Sequence, residues 1–409
     1  MKSFNIPEFY RSPVISRIKM IRKIKDPKKQ DFSPTILDFG PVVIYIARHF
    51  GFCFGVENAV EISFRALEEN PGKRIFLLSQ MIHNPEVNND LVARGVQFLM
   101  EPNGKEIYPL EKLEKDDIVI IPAFGTTLEI ENRLSELGIK SQQYNTTCPF
   151  VERVWNKSGQ LGAKDYTIVV HGKPSHEETK ATFSHAKQYG AVIVLKDMEE
   201  AKLLGEYMLG QLNSEKFNEL FKGRTSENFN PEKQLDRIGV INQTTMLASE
   251  TQAISDYLKK ILKEKFGDNE IKNHFADTRD TLCYATNENQ EATFGLLKIP
   301  ADLALVVGGY NSSNTTHIAE LCAQKFPTYF IKDDSEIISA STTRHFDLET
   351  EKVVETSDWM STKKPMHIIL TSGASCPDSV VDRVLYKIVG MFENCLDVEN
   401  VIRAEEKRQ

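Results

Sequence analysis

Long apolar runs are missing from this 409-residue chain. The longest, residues 39–47, is strand-length and β-branched, far short of the roughly 20 residues a membrane-spanning helix needs. A soluble, cytoplasmic protein with no membrane partner is therefore expected. Cysteine is scarce, with six in all, and there is neither a secretory signal nor a dense, even cysteine framework. Matched thiols in such a chain point to metal binding or catalysis rather than to disulfides. No GxxxxGK(S/T) phosphate loop and no GxGxxG fingerprint occurs, so nucleotide and nicotinamide binding lose their support. The net charge is -8, and the body of the chain has no basic patch interleaved with aromatics, which excludes nonspecific nucleic-acid binding. An anionic substrate would need local donors.

What is present is a threefold recurrence. Cys53 in HFGFCFG, Cys148 in NTTCPF and Cys283 in TLCYAT each stand between an apolar, strand-like run and an amphipathic helical run. After Cys53 the pattern predicts a helix (56–67), a strand (74–78) and a polar loop with His83, 30 residues on. After Cys148 come a helix (151–161), a strand (166–170) and HGKPSHEETKAT, with His176 28 residues on. After Cys283 a helix (287–297) and a strand (303–307) lead to GGYNSSNTT, with Ser312 29 residues on. The repeat is one of topology, and it predicts three thiols and three polar loops converging on one centre.

Any one of these cysteines alone is best read as a small buried hydrophobe. Three at equivalent positions are better read as ligands. Thiolates suit zinc or iron-sulfur clusters, and a four-iron cluster on three protein sulfurs keeps one iron open for substrate.

The motifs GFCFGVENAV, IHNPEVN, NTTCPFV, HEETKAT, NQTT, CYATNENQEA, VVGGYNSSNT and TSGASCPD follow one another over roughly residues 42–384. In that order they resemble the 4-hydroxy-3-methylbut-2-enyl diphosphate reductase family, in its longer cyanobacterial and plastid-like variant. The resemblance implies an α/β fold of three pseudo-symmetric, trefoil-like units around a central 4Fe-4S cluster. It implies Cys53, Cys148 and Cys283 as cluster ligands, with the fourth iron open to the substrate hydroxyl. It further implies a small-molecule diphosphate substrate, an electron donor such as ferredoxin or flavodoxin, and a monomer or homodimer. The reaction implied is a two-electron, two-proton reductive dehydroxylation, the last step of the methylerythritol phosphate route to isoprenoids. A cluster-dependent hydratase would share the open iron without an electron donor; a noncatalytic iron-sulfur redox sensor would not need the donor-rich loops.

The organisation expected is a basic extension (1–41), three α/β repeats (42–145, 146–281 and 282–395) and a tail (396–409). The extension carries nine Lys or Arg against four Asp or Glu. Its acids and few serines speak against a transit peptide, so it reads as a partly helical arm packing on the domain or on a second subunit. Residues 207–235, polar and loop-rich, read as a surface insertion. In the first repeat Phe124 stands where the family often has histidine, and it is expected as pocket wall. In the second, Glu178 is expected to donate protons, its acid form favoured by burial beside anionic groups, while Glu177 reads as a helix N-terminal acid. Thr244 is expected either to meet a substrate hydroxyl or to cap a helix. His171 and His185 read as structural. In the third, Ser312, Ser313 and Asn314 stand at a helix start, a generic anion site, and Ser375 repeats that geometry. With His83 and His176 they form the expected diphosphate set. Cys322, Cys376 and Cys395 are not expected to be ligands.

Overall fold

The structure, a computed structural model, describes residues 4–278 and 281–407. The chain forms two compact units. The terminal unit comprises Met1–Glu57, His83–Asn89 and Tyr284–Gln409; the middle unit comprises Asn58–Ile82 and Asp90–Cys283.

The terminal unit is built on a seven-stranded sheet. Its strands lie in the order Thr35–Asp38, Val42–Ile46, Met366–Ser372, Leu303–Val307, Thr328–Ile331, Thr342–Asp347 and Lys352–Ser357. The four central strands are parallel, and antiparallel strands close both edges. Val42–Ile46 and Leu303–Val307 are buried along their whole length, which is why both read as unbroken apolar runs: a parallel strand covered on both faces has no polar side to show. Val42–Ile46, read as the opening strand of the first repeat, thus pairs with Met366–Ser372. The edge hairpin Thr342–Asp347 to Lys352–Ser357 is half exposed, and its weak apolar signal left no sign in the sequence.

Helices near both ends of the chain pack into the terminal unit. Residues 396–409 are not a loose tail, because the helix Val398–Lys407 sinks Val398, Val401 and Ile402 into the terminal core. In the extension, the helix Pro13–Lys25 is capped by Ser12 and packs on Asp378–Val389 and Val398–Lys407 through Val14, Ile15, Ile18 and Ile21.

The middle unit contains two all-parallel sheets. One has the order Gln97–Phe98, Ile75–Leu77, Ile118–Ile120; the other has Val192–Leu195, Thr167–His171, Ile238–Asn242, Phe275–Ala276. The predicted helices and strands after Cys53 and Cys148 are all present within a few residues, as Phe54–Glu69, Ile75–Leu77, Pro149–Gly162 and Thr167–His171. The surface reading of 207–235 needs correction. Ser214–Leu220 is helical, and Phe217, Phe221 and Leu235 are buried against Val169, Ile193 and Leu204. The two phenylalanines share one helical face at i, i+4 spacing, an apolar pair that the polar surroundings obscured. Among the described residues, no helix is long and apolar enough to cross a membrane.

Candidate active site

In parallel α/β sheets, ligands meet the loops beyond the carboxyl ends of the strands. In the terminal unit three neighbouring strands end side by side, with Ile46 paired to Leu370 and Val307 to Ser372. The loops they release are those of Cys53, Ser375 and Ser312, and hydrogen bonds tie them together. Cys53 N-H donates to the Ala374 carbonyl at 3.1 Å. Ala374 N-H donates to Asn314 Oδ1 at 2.9 Å, and the Ser375 hydroxyl donates to the His83 carbonyl at 3.1 Å. Two glycines make this closeness possible, since a Cβ on Gly309 would strike the His83 carbonyl and one on Gly373 the Thr315 hydroxyl.

His83, Ser312, Ser313, Asn314 and Ser375 are thus gathered within one unit, all of them buried. Ser312 also caps its helix, accepting from the Thr315 N-H and hydroxyl at 3.3 and 2.9 Å. Capping and anion binding are both open to it, because the hydroxyl proton remains to be given. Asn314 Nδ2 is buried with no protein partner, a donor that a ligand oxygen would satisfy. Burial pulls the His83 imidazole down to about 3, so it is neutral at physiological pH and offers a hydrogen bond rather than a charge.

The middle unit gathers a different set. Thr167–His171 and Ile238–Asn242 run side by side, His171 opposite Asn242, and so release the Glu178 and Thr244 loops at the same edge. The Glu178 carboxylate accepts from Thr244 N-H at 2.5 Å and from its hydroxyl at 3.1 Å. Leu247, not Thr244, is the cap of the following helix Ala248–Phe266, so the capping alternative for Thr244 falls away. Burial drives the Glu178 carboxyl up to about 7 against the opposing pull of the two Thr244 bonds. His176 caps the helix Glu177–Ala186 by accepting Glu178 N-H at its Nδ1, 3.1 Å away. In the neutral ring this leaves the proton on Nε2. Phe124 meets the His176 ring edge-on, centroids 5.6 Å apart, as a wall would. His171 bonds the Thr251 hydroxyl and His185 stacks on Trp155 at 3.6 Å, both as supports.

Two residues escaped the sequence reading. Glu177 is more than a helix-end acid: it pairs with the Ser79 hydroxyl, and burial raises it to about 7 as well. Gln243 stitches the two loops together, its Oε1 accepting from Lys173 N-H at 3.1 Å and from the Thr179 hydroxyl at 3.0 Å. Its place in NQTT, directly before Thr244, was the available signal.

All six cysteines are free thiols. Cys53 directly precedes the helix Phe54–Glu69, Cys148 is the cap residue of Pro149–Gly162, and Cys283 directly precedes Tyr284–Leu296. A helix N-terminus favours thiolate. The other three differ. Burial pushes Cys322 up to about 12 and raises Cys376 and Cys395, so all three favour the thiol. Among the described residues no three His, Cys, Asp or Glu side chains are grouped to hold one ion. An iron-sulfur cluster asks for no such group, because each iron can take a single protein sulfur. Cys53 lies in the terminal unit, and Cys148 and Cys283 in the middle unit. As a donor set the three thiols fit a cluster.

Residues 44–389 match the family model described as LytB protein. The 4-hydroxy-3-methylbut-2-enyl diphosphate reductase of a Picosynechococcus species is 39% identical over 370 residues, covering 90% of this chain and 88% of that one. The enzyme of the same name from a Synechococcus species is 40% identical over 355 residues, 87% and 85% of the two chains. In fold, the chain is similar to the solved structure of the E-1-hydroxy-2-methyl-but-2-enyl-4-diphosphate reductase from Plasmodium falciparum, with a TM-score of 0.60 at 20% identity over 90% of this chain and 99% of that one. With the family model spanning most of its length and relatives near 40% identity covering it almost end to end, this chain belongs to the LytB protein family.

Proposed function

We propose that this chain reduces 4-hydroxy-3-methylbut-2-enyl diphosphate to isopentenyl and dimethylallyl diphosphate in the cytoplasm, closing the methylerythritol phosphate route. Two electrons and two protons enter; the allylic C-O bond breaks, a C-H bond forms, and water leaves. A 4Fe-4S cluster on Cys53, Cys148 and Cys283 would supply the electrons and Lewis acidity at the leaving oxygen. The electrons come from a reduced one-electron carrier, ferredoxin or flavodoxin in kind.

The chain's own residues do the rest. Ser312, Ser313, Asn314 and His83 of the terminal unit offer neutral donors to the diphosphate, and Ser375 joins them when its hydroxyl turns from the His83 carbonyl. Neutral donors bind an anion without a buried counter-charge that would itself have to be desolvated in the empty protein. Glu178 supplies the protons. Burial keeps its acid form populated near neutrality, where a general acid works best, and the Thr244 N-H and hydroxyl stabilise the carboxylate left after transfer. Thr244 can turn its hydroxyl to the substrate oxygen as well, and Phe124 excludes water beside His176.

The observation that carries this reading is the buried Glu178 carboxyl, which among the described residues accepts from Thr244 and from no basic side chain. Glu178→Gln keeps size and hydrogen bonding but removes the transferable proton, so turnover should fall about 10²- to 10⁴-fold. Iron content and pyrophosphate affinity should stay at the wild-type level. Full turnover in this variant, measured as substrate-dependent oxidation of the reduced carrier, rejects the assignment.

A further inference from the structure

The amino-terminal extension plays no part in the chemistry above, yet within the terminal unit its side chains converge on one stretch. The segment HFGFCFG has four aromatic or imidazole rings around Cys53, and each is met by one extension residue. Phe32 lies against His49 with centroids 5.9 Å apart, and Lys19 Nζ sits 4.8 Å over the Phe50 ring. Tyr10 meets Phe52 edge-on at 5.9 Å, and Phe4 meets Phe54 edge-on at 4.9 Å. Phe4 and Tyr10 are themselves buried, at 6% and 1% exposure.

The extension is anchored beyond these rings. Lys19 bonds Asp378 at 2.7 Å, Arg17 bridges Glu399 and Glu406 at 2.6 and 2.8 Å, and Lys29 bonds Glu288 at 2.9 Å. Gly51 accommodates the first of these pairs. With a left-handed φ of +76°, it already favours glycine, and a Cβ there would come within 2.5 Å of Asp378 Oδ1 and 2.9 Å of Lys19 Nζ. A cleft of about 520 Å³, partly open to solvent, has Phe4, Lys19, Phe52, Cys53 and Phe54 among its walls, so the cover and the thiol border one space.

We propose that residues 4–32 are a fitted cover for the Cys53 loop, in which Phe4, Tyr10, Lys19 and Phe32 act as positioning residues that govern what reaches the Cys53 sulfur. Four contacts on consecutive parts of one loop must break together before the loop opens, and local opening sets reagent access to a partly sheltered group. The side chains around a ligating sulfur also tune a bound metal group by setting its solvent access, which gives such a cover a use. The proposal does not depend on which group Cys53 binds or which reaction follows.

The test uses the full-length, metal-free, reduced protein. A short pulse of iodoacetamide is followed by peptide mass spectrometry of Cys53, with Cys148 as the standard from the other unit and the core thiol Cys322 as the report on folding. In the Phe4→Ala, Tyr10→Ala double variant Cys53 should be alkylated about tenfold faster or more, while Cys148 and Cys322 keep their wild-type rates. The conservative pair Phe4→Leu, Tyr10→Phe should restore protection. A wild-type Cys53 rate in the folded double variant overturns the proposal. Should Cys322 also open there, Lys19→Met decides by the same criterion, since that side chain is half-exposed and its loss leaves the core intact.

Discussion

The two units solve opposite electrostatic problems with the same device, loops released at the carboxyl ends of parallel strands. At the ends of its parallel strands the terminal unit collects hydroxyls, an amide and an imidazole held neutral by burial, and no carboxylate among them. At the corresponding strand ends the middle unit collects two carboxyls that burial lifts to about 7. One set suits an anion and the other a proton, and the difference lies in a handful of loop residues. Parallel strands fix where loops emerge, and loop composition decides what they bind.

The sharpest way to break this comparison is through the thiols. Changing Cys53, Cys148 or Cys283 to serine should abolish cluster assembly outright, measured as iron and sulfide after anaerobic reconstitution. Cys322→Ser, Cys376→Ser and Cys395→Ser should keep it, and loss of iron in Cys322→Ser or Cys395→Ser would overturn the assignment of the three ligands. Next in size is the anion set. Ser312→Ala and Ser375→Ala should each weaken pyrophosphate binding by about 1.5 to 3 kcal/mol, the worth of a hydrogen bond to a charged group. Unchanged calorimetric affinity in the double variant would remove the terminal unit's claim to the diphosphate.

The comparison also predicts pH effects of opposite sign. Glu178 moves from 4.5 in the unfolded chain to about 7 in the folded one, so the folded chain holds a proton that the unfolded chain has released. Its contribution is complete below 4.5 and is lost as pH rises towards 7, on the order of 3 kcal/mol in all. His83 moves from 6.5 down to about 3, so its contribution is present above 6.5 and is lost as pH falls through that window. Urea midpoints across these ranges should therefore show a shallower high-pH decline in Glu178→Gln, where Glu177 still contributes, and a shallower low-pH decline in His83→Gln, where His49 still contributes. Identical profiles in wild type and Glu178→Gln would show that the carboxyl is not desolvated.

Periodicity carried most of the element assignments. The strand Leu303–Val307 was legible to the residue because it is buried on both faces and carries an unbroken apolar run. The half-exposed hairpin Thr342–Asp347 to Lys352–Ser357 and the helix Ser214–Leu220 were not, since their apolar positions are few and set among polar neighbours. The pairing of Val42–Ile46 with Met366–Ser372 was not legible, because strand order is a long-range property with no local mark.

The sequence by itself determined which residues are proposed to carry the chemistry: three matched thiols before helices, donor-rich loops after apolar strands, and a Glu two residues beyond a His. Only the tertiary structure decided their state. Glu177 and Glu178 are chemically identical neighbours in the chain, and burial is what lifts both towards neutrality, against the opposing pull of a Ser79 or a Thr244 partner. The extension likewise reads as a basic arm, and its ring-by-ring fit over the Cys53 loop emerges only when residues distant in sequence are brought together. Desolvation and aromatic contact depend on neighbours in space, and a linear chain records those only through the fold it adopts.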